Sequence, residues 1–538
     1  MTANQLSAPE TATDLQPEMP ATRWGDPAQA APLPDGVRDL VSLVFPVQDS
    51  PARSDVTVPV SSLSADQVAS LAALVGADNV VTDDAVRRVR TRGKSTPDLL
   101  RQRSGDLADA PDVVVRPADH DEVAAVLAWA QEQRVAVVPF GGGTAVTGGL
   151  VADPAGAGLT GVVSLDLGRM RRLLAIDPVS STATLEPGLR GPEAEALLAR
   201  HGLMLGHLPQ SFEFATIGGF AATRSSGQSS AGYGRFDAMV VGLRVATPTG
   251  DVRLGSAPAN ASGPDLREVF LGSEGAFGVI TEVTVRVRPL PEVKEYEGWR
   301  WQSFAEGADA MRQLAQADLL PTVLRLSDEA ETAINLADPE SIGGDSAAGC
   351  LMIVGYEGTP SAVAAKKLAV TTLLTDLGGT PLGADPGTSW AHGRFNAPYL
   401  RDSLLDAGVL VETLETVTFW SNRENLYTRV KAALEASLGE GAMVLCHVSH
   451  VYATGCSLYF TVAAPGGEDP LARWLPAKAA ACEAIVAAGA SITHHHAVGT
   501  DHKPYLTAEI GEVGARILHA VKDAVDPVGV LNPGVLIP

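Results

Sequence analysis

Apolar and polar positions in the first half of the chain follow two spacings, one typical of strands and one typical of helices. The run Val113–Val115 is short and continuously apolar, which predicts a buried strand. Asp119, followed three residues later by Glu122, is typical of a helix start, and the apolar residues after it recur on one helical face. A second apolar run covers residues 134–138. Strand, helix and strand in this order predict an α/β unit with a ligand at one end.

The same two spacings continue to the end of the chain, but their order changes after Pro289. Before Pro289, strands are predicted at Val162–Leu167, Ala183–Glu186, Met239–Thr247, Val252–Leu254 and Glu282–Pro289, and a helix at Pro192–Arg200. After it, helices are predicted at Ala305–Gln316, Ser361–Leu377, Arg423–Leu438 and Gly511–Val525, and strands at Cys350–Gly355, Met443–Tyr452 and Ser457–Ala463. The mixture predicts an α+β protein with an antiparallel sheet in its second half.

The change of pattern also predicts how the chain is divided. At 538 residues it is too long for one hydrophobic core, so we expect at least two domains. Trp24 is an apolar exception in a polar N-terminal stretch, and we expect it to dock against the rest of the protein. The expected parts are a partly disordered lead-in (1–85), an α/β lobe (86–293), a cap (294–490) and a C-terminal segment that returns to close the site (491–538).

Composition and charge narrow the class of protein. A hydrophobic content of 45% with 19% charged residues is typical of a soluble globular protein. The net charge of −23 argues against a nucleic-acid partner. No apolar run approaches the length of a transmembrane helix, and the N-terminus does not resemble a secretory signal. The four cysteines form no CxxC pair, which suits a reducing compartment, so we expect a cytoplasmic protein. The richness in Ala, Gly and Asp is typical of a high-GC bacterial source.

Three consecutive glycines, Gly141–Gly143, follow the second predicted strand and precede Thr144. Backbone N–H groups of such a loop can point inward together and hold an anion such as phosphate. A surface turn explains the same residues equally well. A second loop-rich block, residues 206–234, contains glycines, serines and threonines with few charges. Its apolar residues favour a loop buried around an uncharged or diphosphate-bearing ligand.

Two common ligand chemistries fit the chain poorly. The glycine loop lacks the GxGxxG pattern of a nicotinamide site. Histidines concentrate in the C-terminal third, where a metal site is the alternative to a polar pocket with acid/base groups. On a strand only His494 and His496 would share a side, and no acidic ligand stands at a recognisable spacing. The acid/base role is therefore favoured, and no metal is predicted. The six clustered histidines are His447, His450, His494, His495, His496 and His502.

The order and spacing of several short blocks resemble one type of flavoprotein. The blocks are Arg90–Gly93, Pro111–Val113, Pro139–Thr144, Gly206–Ser211, Thr216–Gly219, Thr223–Gly227, Tyr233–Gly234, Gly272–Gly275, Gly278–Thr281, Leu324–Leu326 and Thr493–Gly499. Together they resemble the FAD-binding proteins of the vanillyl-alcohol oxidase/p-cresol methylhydroxylase (PCMH) type, and within these the alkyldihydroxyacetonephosphate synthases. The resemblance covers nearly the whole chain. It implies a PCMH-type FAD-binding lobe of two subdomains and a cap over the flavin ring.

The resemblance also implies how FAD is held. Backbone N–H groups of the glycine loop would bind the diphosphate, the second loop block would surround the rest of the cofactor, and a third group would lie near the adenosine half. The implied contacts are Pro139, Gly141, Gly142, Gly143, Thr144 and Ala145; Gln210, Ser211, Thr216, Gly218, Gly219, Thr223, Gly227 and Tyr233; and Glu274, Gly278, Val279 and Ile280. Relatives with covalent flavin carry a histidine in the glycine loop. This loop has none, so we expect non-covalent FAD.

Candidate catalytic residues follow from the resemblance as well. Arg325 would hold a phosphate or carboxylate, since a guanidinium pairs with either through two hydrogen bonds. Tyr459 and the three histidines His494, His495 and His496 would transfer protons. From the sequence alone, a core aromatic is as good an explanation for Tyr459, and a solvated side chain remains an alternative for Arg325.

Two departures from the synthase pattern bear on the substrate. His447 stands where the synthases have an active-site arginine, and an imidazole holds phosphate less firmly than a guanidinium does. Ala497 stands where they have a glycine after the triple histidine. The ending Leu531–Gly534 is closer to the flavin dehydrogenases of 2-hydroxy acids.

The resemblance therefore implies two enzymatic functions. The first is exchange of the acyl group of acyl-dihydroxyacetone phosphate for a long-chain alcohol, as in ether-lipid synthesis. The alternative is an FAD-linked dehydrogenase or oxidase that transfers hydride from a 2-hydroxy acid or alcohol to the flavin. A non-enzymatic flavin-binding protein is disfavoured by the many titratable groups of the expected pocket. The expected partners are a small-molecule or lipid-like substrate, a membrane surface contacted peripherally, and a second copy of the chain.

Overall fold

The two apolar runs that flank the first predicted helix form strands of a small, mostly parallel sheet. The computed structural model describes residues 6, 8–334 and 349–538. In spatial order, the four strands are Val80–Val81, Val113–Val115, Val162–Asp166 and Ala136–Phe140. The last three run parallel. The glycine loop therefore leaves from the edge of the sheet where their carboxyl ends meet. Helices Ala65–Val75 and His120–Gln133 share the hydrophobic core of this sheet.

A six-stranded antiparallel sheet forms the second half of the FAD-binding lobe. Its strands, in spatial order, are Glu10–Thr11, Arg172–Asp177, Thr182–Leu185, Val279–Arg286, Val240–Thr247 and Gly250–Leu254. Its core also takes in the helices Gly191–Ala199, Ile217–Ala222 and Phe236–Met239. Leu203–Met204 and Arg288–Pro289 pair separately.

The second half of the chain forms a seven-stranded sheet in which all neighbouring strands are antiparallel, as the sequence predicts. In spatial order its strands are Thr380–Gly383, Val293–Trp301, Cys350–Gly358, Val323–Ser327, Met443–Val448, Gly455–Pro465 and Val409–Phe419. Helices Phe304–Gln316, Pro360–Asp376, Arg423–Leu438 and Pro470–Ala487 pack into the core on one face. The other face is directed towards the FAD-binding lobe.

The remaining helices connect these sheets. They are Asp35–Val44, Asp84–Val89, Thr96–Ser104, Ser230–Tyr233, Arg267–Phe270, Glu329–Ile334, Asp385–Gly393, Ala397–Asp406 and Lys503–Val525. In the described part of the chain, none of the helices combines the length and the apolar character that crossing a bilayer requires.

Both ends of the chain pack onto the FAD-binding lobe. Trp24 is buried, with its ring centroid 5.6 Å from that of Phe214. At the other end, Leu531 pairs with Val137, in the strand that leads into the glycine loop. The C-terminal segment thus returns from the cap. The predicted boundaries at residues 86, 294 and 491 stay predictions.

Several elements differ from those predicted. The strand Val409–Phe419 was not expected, because two glutamates interrupt its apolar pattern. The final helix begins at Lys503 rather than Gly511; Gly511, with φ of 72°, marks a kink inside it. The strand expected over Met443–Tyr452 ends at Val448. The triple histidine does not lie in a strand, so the expectation that His494 and His496 share one side of a strand was wrong.

Candidate active site

A cavity of about 850 Å³ lies between the FAD-binding lobe and the seven-stranded sheet. The glycine loop and the second loop block line one side. The sheet lines the other with side chains that include Arg325, His447 and Tyr459, and the C-terminal segment adds His495 and His496. The cavity therefore brings together the glycine loop and five of the six candidate catalytic residues, which are far apart in the sequence. His494 lies directly behind His495.

The backbone of the glycine loop is held so closely that its glycines are required. A Cβ atom on Gly142 would lie 2.0 Å from the carbonyl oxygen of Phe214, and Gly143 has φ of +67°. The backbone N–H of Lys94 donates to the carbonyl of Ala145 at 2.7 Å. The loop is therefore held through a backbone carbonyl group. This arrangement suits an anion-binding loop, in which backbone N–H groups contact the anion.

Most of the residues expected to bind FAD line this cavity. They are Pro139, Gly141, Gly142, Gly143, Thr144, Ala145, Gln210, Ser211, Thr216, Gly218, Gly219, Thr223, Glu274, Gly278, Val279 and Ile280. The side-chain nitrogen of Gln210 and the side-chain oxygen of Gln228 are buried here and find no hydrogen-bond partner among the described residues. Buried amides without partners are expensive, so a polar ligand that satisfies them fits this side of the cavity.

Two expected cofactor contacts do not line the cavity. The Tyr233 hydroxyl donates to Glu357 at 2.8 Å, and the guanidinium of Arg288 lies 3.9 Å from the centroid of its ring. Gly227 serves close packing, since a Cβ there would lie 2.7 Å from the backbone nitrogen of Leu208. Tyr233 and Gly227 thus belong to the second loop block but contact other parts of the protein instead of lining the cavity.

Glu274 lines the cavity and also holds the C-terminal segment. Its carboxylate accepts hydrogen bonds from the backbone N–H groups of Val498 and Gly499 at 2.9–3.0 Å. Burial raises the pKa of this carboxyl to about 7. Glu274 thereby ties the C-terminal segment, and the histidines just before it, to the FAD-binding lobe.

One row across the seven-stranded sheet positions the candidate catalytic side chains. Ser327 pairs with His447, His447 with Tyr459, and Tyr459 with Glu415. Directly opposite residues in antiparallel strands point to the same face. The row therefore presents four polar side chains from four strands to one face. The rings of His447 and Tyr459 stack with centroids 4.7 Å apart.

Arg325 is held by two partners beside this row. Its Nη2 lies 2.6 Å from Oε1 of Glu331, and its Nη1 lies 3.1 Å from Nε2 of His447. Nδ1 of His447 lies 3.0 Å from Nη2 of Arg325 and 3.0 Å from Oε2 of Glu331. Because the carboxylate only accepts, we assign the ring proton to Nδ1, which donates to Glu331 and leaves Nε2 to accept from Arg325. His447 is therefore neutral, and its pKa is lowered by burial and by Arg325. Burial alone would raise the pKa of Glu331, but His447 and Arg325 together lower it to about 2.

Glu415 organises the triple histidine. Its fully buried carboxylate accepts hydrogen bonds from the backbone N–H groups of His494, His495 and His496 at 2.7–3.0 Å. The Thr493 hydroxyl adds a fourth at 2.5 Å. These bonds hold residues 493–496 in a tight turn, after which Ala497 has φ of 73°, a conformation that favours glycine. A glycine would adopt this conformation without strain.

The cavity contains one side chain that can donate a proton and two that can accept one. Burial raises the pKa of Tyr459 to about 12, so its hydroxyl keeps its proton at neutral pH. Burial lowers the pKa of His495, and lowers that of His496 to about 3, so both rings are neutral. A neutral imidazole can take a proton and a phenol can supply one. The site can therefore move a proton between two substrate oxygens.

Three histidines lie close enough together to be considered as ligands of a metal ion, the alternative weighed from the sequence. His450, His494 and His495 each bring one ligand atom within 4.8 Å of the others. The rings of His450 and His494 stack with planes 22° apart, so their in-plane lone pairs run side by side instead of meeting at one point. Serine and tyrosine hydroxyls already bond two of these rings. The geometry favours a hydrogen-bonded cluster, in line with the acid/base role favoured by the sequence.

Glu331 and Glu415 are site residues that the sequence did not reveal. The available signal was weak: Glu415 interrupts the apolar run Val409–Phe419, and Glu331 lies in a short acidic helix. Acidic residues in such places are more often solvated. Only the folded structure shows that both contact histidines: Glu331 accepts from the ring of His447, and Glu415 accepts from the backbone N–H groups of residues 494–496.

Comparison with known proteins assigns the chain to a family. Residues 111–255 match the model of the FAD binding domain, and residues 290–536 match that of the FAD linked oxidases, C-terminal domain. An alkyldihydroxyacetonephosphate synthase from Trypanosoma brucei brucei is 36% identical over 88% of this chain and 80% of its own. The chain belongs to the alkyldihydroxyacetonephosphate synthase family.

Other members of the alkyldihydroxyacetonephosphate synthase family agree in sequence and in fold. The synthase from Dictyostelium discoideum is 34% identical over 86% of this chain and 79% of its own. A solved alkyldihydroxyacetonephosphate synthase structure superposes with a TM-score of 0.83 at 29% identity, covering 97% of this chain and 99% of that one. FAD is the cofactor, and the PCMH-type fold and α+β class predicted from the sequence are confirmed. These relatives lend no support to a bacterial source.

Proposed function

We propose that this enzyme forms an ether bond by replacing the acyl group of an acyl-dihydroxyacetone phosphate with a long-chain alcohol. The bond between the dihydroxyacetone carbon and the acyloxy oxygen breaks, and a bond from that carbon to the alcohol oxygen forms. The alcohol loses a proton and a fatty acid is released, with no net change of oxidation state. When bound, FAD supplies an electrophilic ring that can hold and release the substrate carbon. Family membership supports this reaction, and the shape of the cavity supports it independently.

The observation that carries the proposal is an apolar part of the cavity lining, which we call the apolar arm. It is formed by side chains of helix Asp35–Val44, of helix Ala397–Asp406 and of three strands of the seven-stranded sheet. Its apolar lining includes Val37, Val41, Leu404, Val409, Leu445 and Ala463. Because apolar surface that stays in contact with water is costly, an alkyl chain is the occupant that this arm fits best. A small 2-hydroxy acid would leave it empty.

The polar end of the cavity suits an anionic head group. Glu331 neutralises the charge of Arg325, so Arg325 can orient the head group but adds little net positive charge to the cavity. Arg300, Arg394 and Arg401 also line the cavity, and the Nε and Nη1 atoms of Arg394 are buried without a hydrogen-bond partner among the described residues. A phosphate that accepts from Arg394 would satisfy these donors. Phosphate recognition therefore does not depend on the arginine that His447 replaces.

The proton chemistry follows from the row of polar side chains. A neutral histidine, His495 or His496, takes the proton of the alcohol, and Tyr459 donates to an oxygen of the substrate. Arg325 and His447 orient the same end of the substrate, and His447 stacks on Tyr459. Acid and base thus come from groups whose pKa values are displaced in opposite directions by burial.

Access from a membrane surface supports a lipid substrate. Helix Asp35–Val44 borders the apolar arm. Its Leu43 is 81% exposed, and Val44, which also lines the cavity, is 50% exposed. An amphipathic helix with exposed apolar residues can insert them between lipid head groups. Peripheral contact at this helix would let the alcohol enter directly from a bilayer. A homodimer is also part of the proposal.

A dehydrogenase of 2-hydroxy acids is the second candidate, favoured by the contact between Arg325 and His447. An arginine that holds a carboxylate next to a neutral histidine that takes a hydroxyl proton is suited to that oxidation.

An assay of purified protein loaded with FAD distinguishes the ether-forming enzyme from the dehydrogenase. Incubation with palmitoyl-dihydroxyacetone phosphate and hexadecanol should give the ether, detected by mass spectrometry, with the flavin spectrum still oxidised. Anaerobic bleaching by 2-hydroxy acids without ether formation would replace the first proposal by the second.

Filling the apolar arm should select against long alcohols. We expect Ala463→Phe to lower kcat/KM for hexadecanol at least tenfold and to leave the value for butanol within about twofold, because the added ring occupies the space of the distal methylenes. Val179→Phe, at a position 81% exposed, is the matched control and should change neither value. Equal losses for both alcohols would contradict the assignment of the arm.

A further inference from the structure

The proposed reaction releases a proton that has to reach the solvent. Each turnover converts an alcohol and an ester into an ether and a carboxylic acid. The carboxyl group of a fatty acid ionises well below neutral pH, so one proton per turnover must leave the site. Of the two candidate bases, His495 has a side chain that is 14% exposed, and His494 next to it is buried. A path from His495 to the solvent would carry this proton, and this inference rests on the proposed function.

A chain of hydrogen bonds leads away from the cavity at His495. Nδ1 of His495 lies 2.9 Å from Nδ1 of His494, and Nε2 of His494 lies 2.6 Å from the hydroxyl of Tyr452. His495 lines the cavity, whereas His494 and Tyr452 lie behind it. Both contacts have the length of good hydrogen bonds between ring nitrogens or between nitrogen and oxygen.

Each member of the chain can both accept and donate. A neutral imidazole carries a proton on one nitrogen and a lone pair on the other, and a phenol can do both through one oxygen. When His495 passes a proton to Nδ1 of His494, the proton on Nε2 of His494 can pass to Tyr452 at the same time. His494 then returns to a neutral state with its proton on the other nitrogen. The transfer needs no charged histidine to persist in the buried cluster.

Tyr452 is the member of this hydrogen-bonded series that lies next to the protein surface. It is half-buried, and the next two residues, Ala453 and Thr454, are exposed. Burial and the positive charge of Arg235 lower the pKa values of the three neighbouring histidines, so a proton does not stay on them at neutral pH.

We propose that Tyr452 is the exit of a proton relay that runs from His495 through His494 to the solvent. Tyr452 touches neither substrate nor cofactor, so it acts through the histidines. His450 packs against the relay without interrupting it: its ring stacks on His494, and its Nδ1 is held by Ser226 at 3.0 Å and Ser230 at 2.7 Å.

Replacing one oxygen tests the relay in the FAD-loaded enzyme. We expect Tyr452→Phe to lower kcat for ether formation about tenfold with KM for both substrates unchanged, because the slow step becomes removal of the proton. The solvent deuterium isotope effect on kcat should rise. Added imidazole, a small proton carrier, should restore much of the lost rate. Tyr356→Phe removes a hydroxyl that bonds Glu297 outside the cavity lining, and it should behave as wild type in all three measurements.

A second measurement does not depend on turnover. In protein labelled with ¹⁵N-histidine, the Nε2 signal of His494, assigned by its loss in His494→Gln, should shift in Tyr452→Phe and not in Tyr356→Phe. A normal kcat without imidazole dependence in Tyr452→Phe, or an unshifted His494 signal, would overturn the relay. Absence of the ether product with wild-type enzyme would instead overturn the proposed function, and with it the need for a proton exit.

Discussion

Tyr459→Phe should lower kcat for ether formation by a factor of about 10² to 10⁴, the range for loss of one general acid or base. Tyr459 lies in the centre of the polar row, with its ring stacked on His447 and edge-on to His496 at 5.5 Å. Burial keeps its hydroxyl protonated, which makes it the proton donor of the cavity. Removal of one oxygen leaves the stacked ring in place, so FAD binding and KM should change little. Stopped-time assays with mass-spectrometric detection measure the rate.

A matched variant separates loss of the proton donor from a change in packing. Tyr427→Phe removes a hydroxyl that bonds Asp328 at 3.0 Å on the opposite, helix-covered face of the sheet. It should keep kcat within about twofold of wild type. A Tyr459→Phe enzyme that retains more than a third of the wild-type rate would show that the donor is another group.

Glu415→Ala should lower the free energy of unfolding by about 3–5 kcal/mol, the cost of removing one partner from a buried, charge-bearing network. The carboxylate accepts four hydrogen bonds from residues 493–496, and three of their donors are backbone N–H groups. Without it these donors stay buried and unpaired. Chemical denaturation measures the loss, and Glu424→Ala, at a side chain 64% exposed, is the control and should change stability by less than about 0.5 kcal/mol.

The pH dependence of Glu415 gives a second readout. Burial would raise the pKa of this carboxyl, but His495, His496 and His494 hold it well below its ordinary value. A carboxyl whose pKa is lower in the folded state stabilises the fold above its unfolded pKa, and the stabilisation is lost as pH falls through the folded pKa. The difference in stability between wild type and Glu415→Gln should therefore be constant at neutral pH and should shrink in acid. A constant difference at all pH values would contradict an ionised Glu415.

The cofactor side of the cavity could be predicted from the sequence because its contacts are local. Gly141, Gly142 and Gly143 are consecutive, and the expected contacts after them lie in two further short blocks. Backbone N–H groups carry much of such a site, and glycine spacing records where the backbone must come close. Gly227 and Tyr233 were the exceptions: both lie in the second block but do not line the cavity, and the Tyr233 hydroxyl is directed to Glu357. Membership of a block does not determine which way a side chain points.

The reaction side depends on register and could be predicted only in part. Arg325, Tyr459 and the triple histidine were found through resemblance, whereas Glu331 and Glu415 were not. Ser327, His447, Tyr459 and Glu415 come from four strands and meet because the strands are aligned residue by residue. No spacing within one segment encodes that alignment. The contact between Tyr452 and His494 could not be predicted either, because 42 residues separate the two in the sequence.

The resemblance implies an arginine at the position of His447, and the structure shows what the histidine does there instead. From the sequence it put phosphate recognition in doubt. In the structure His447 donates to Glu331 and accepts from Arg325, so it helps to orient that arginine. Arg394, which the sequence did not single out, supplies buried donors that a phosphate can use. The departure therefore shifts the expected anion contact within the cavity and leaves the proposed reaction intact.

The origin of the ether oxygen tests the proposed reaction most directly. FAD-loaded enzyme is incubated with palmitoyl-dihydroxyacetone phosphate and hexadecanol labelled with ¹⁸O, and the product is analysed by mass spectrometry. If the alcohol replaces the whole acyloxy group, the ether carries the ¹⁸O, the released palmitate carries none, and the flavin is oxidised before and after the reaction. Absence of labelled ether, together with flavin reduction by a 2-hydroxy acid, would contradict the proposed function.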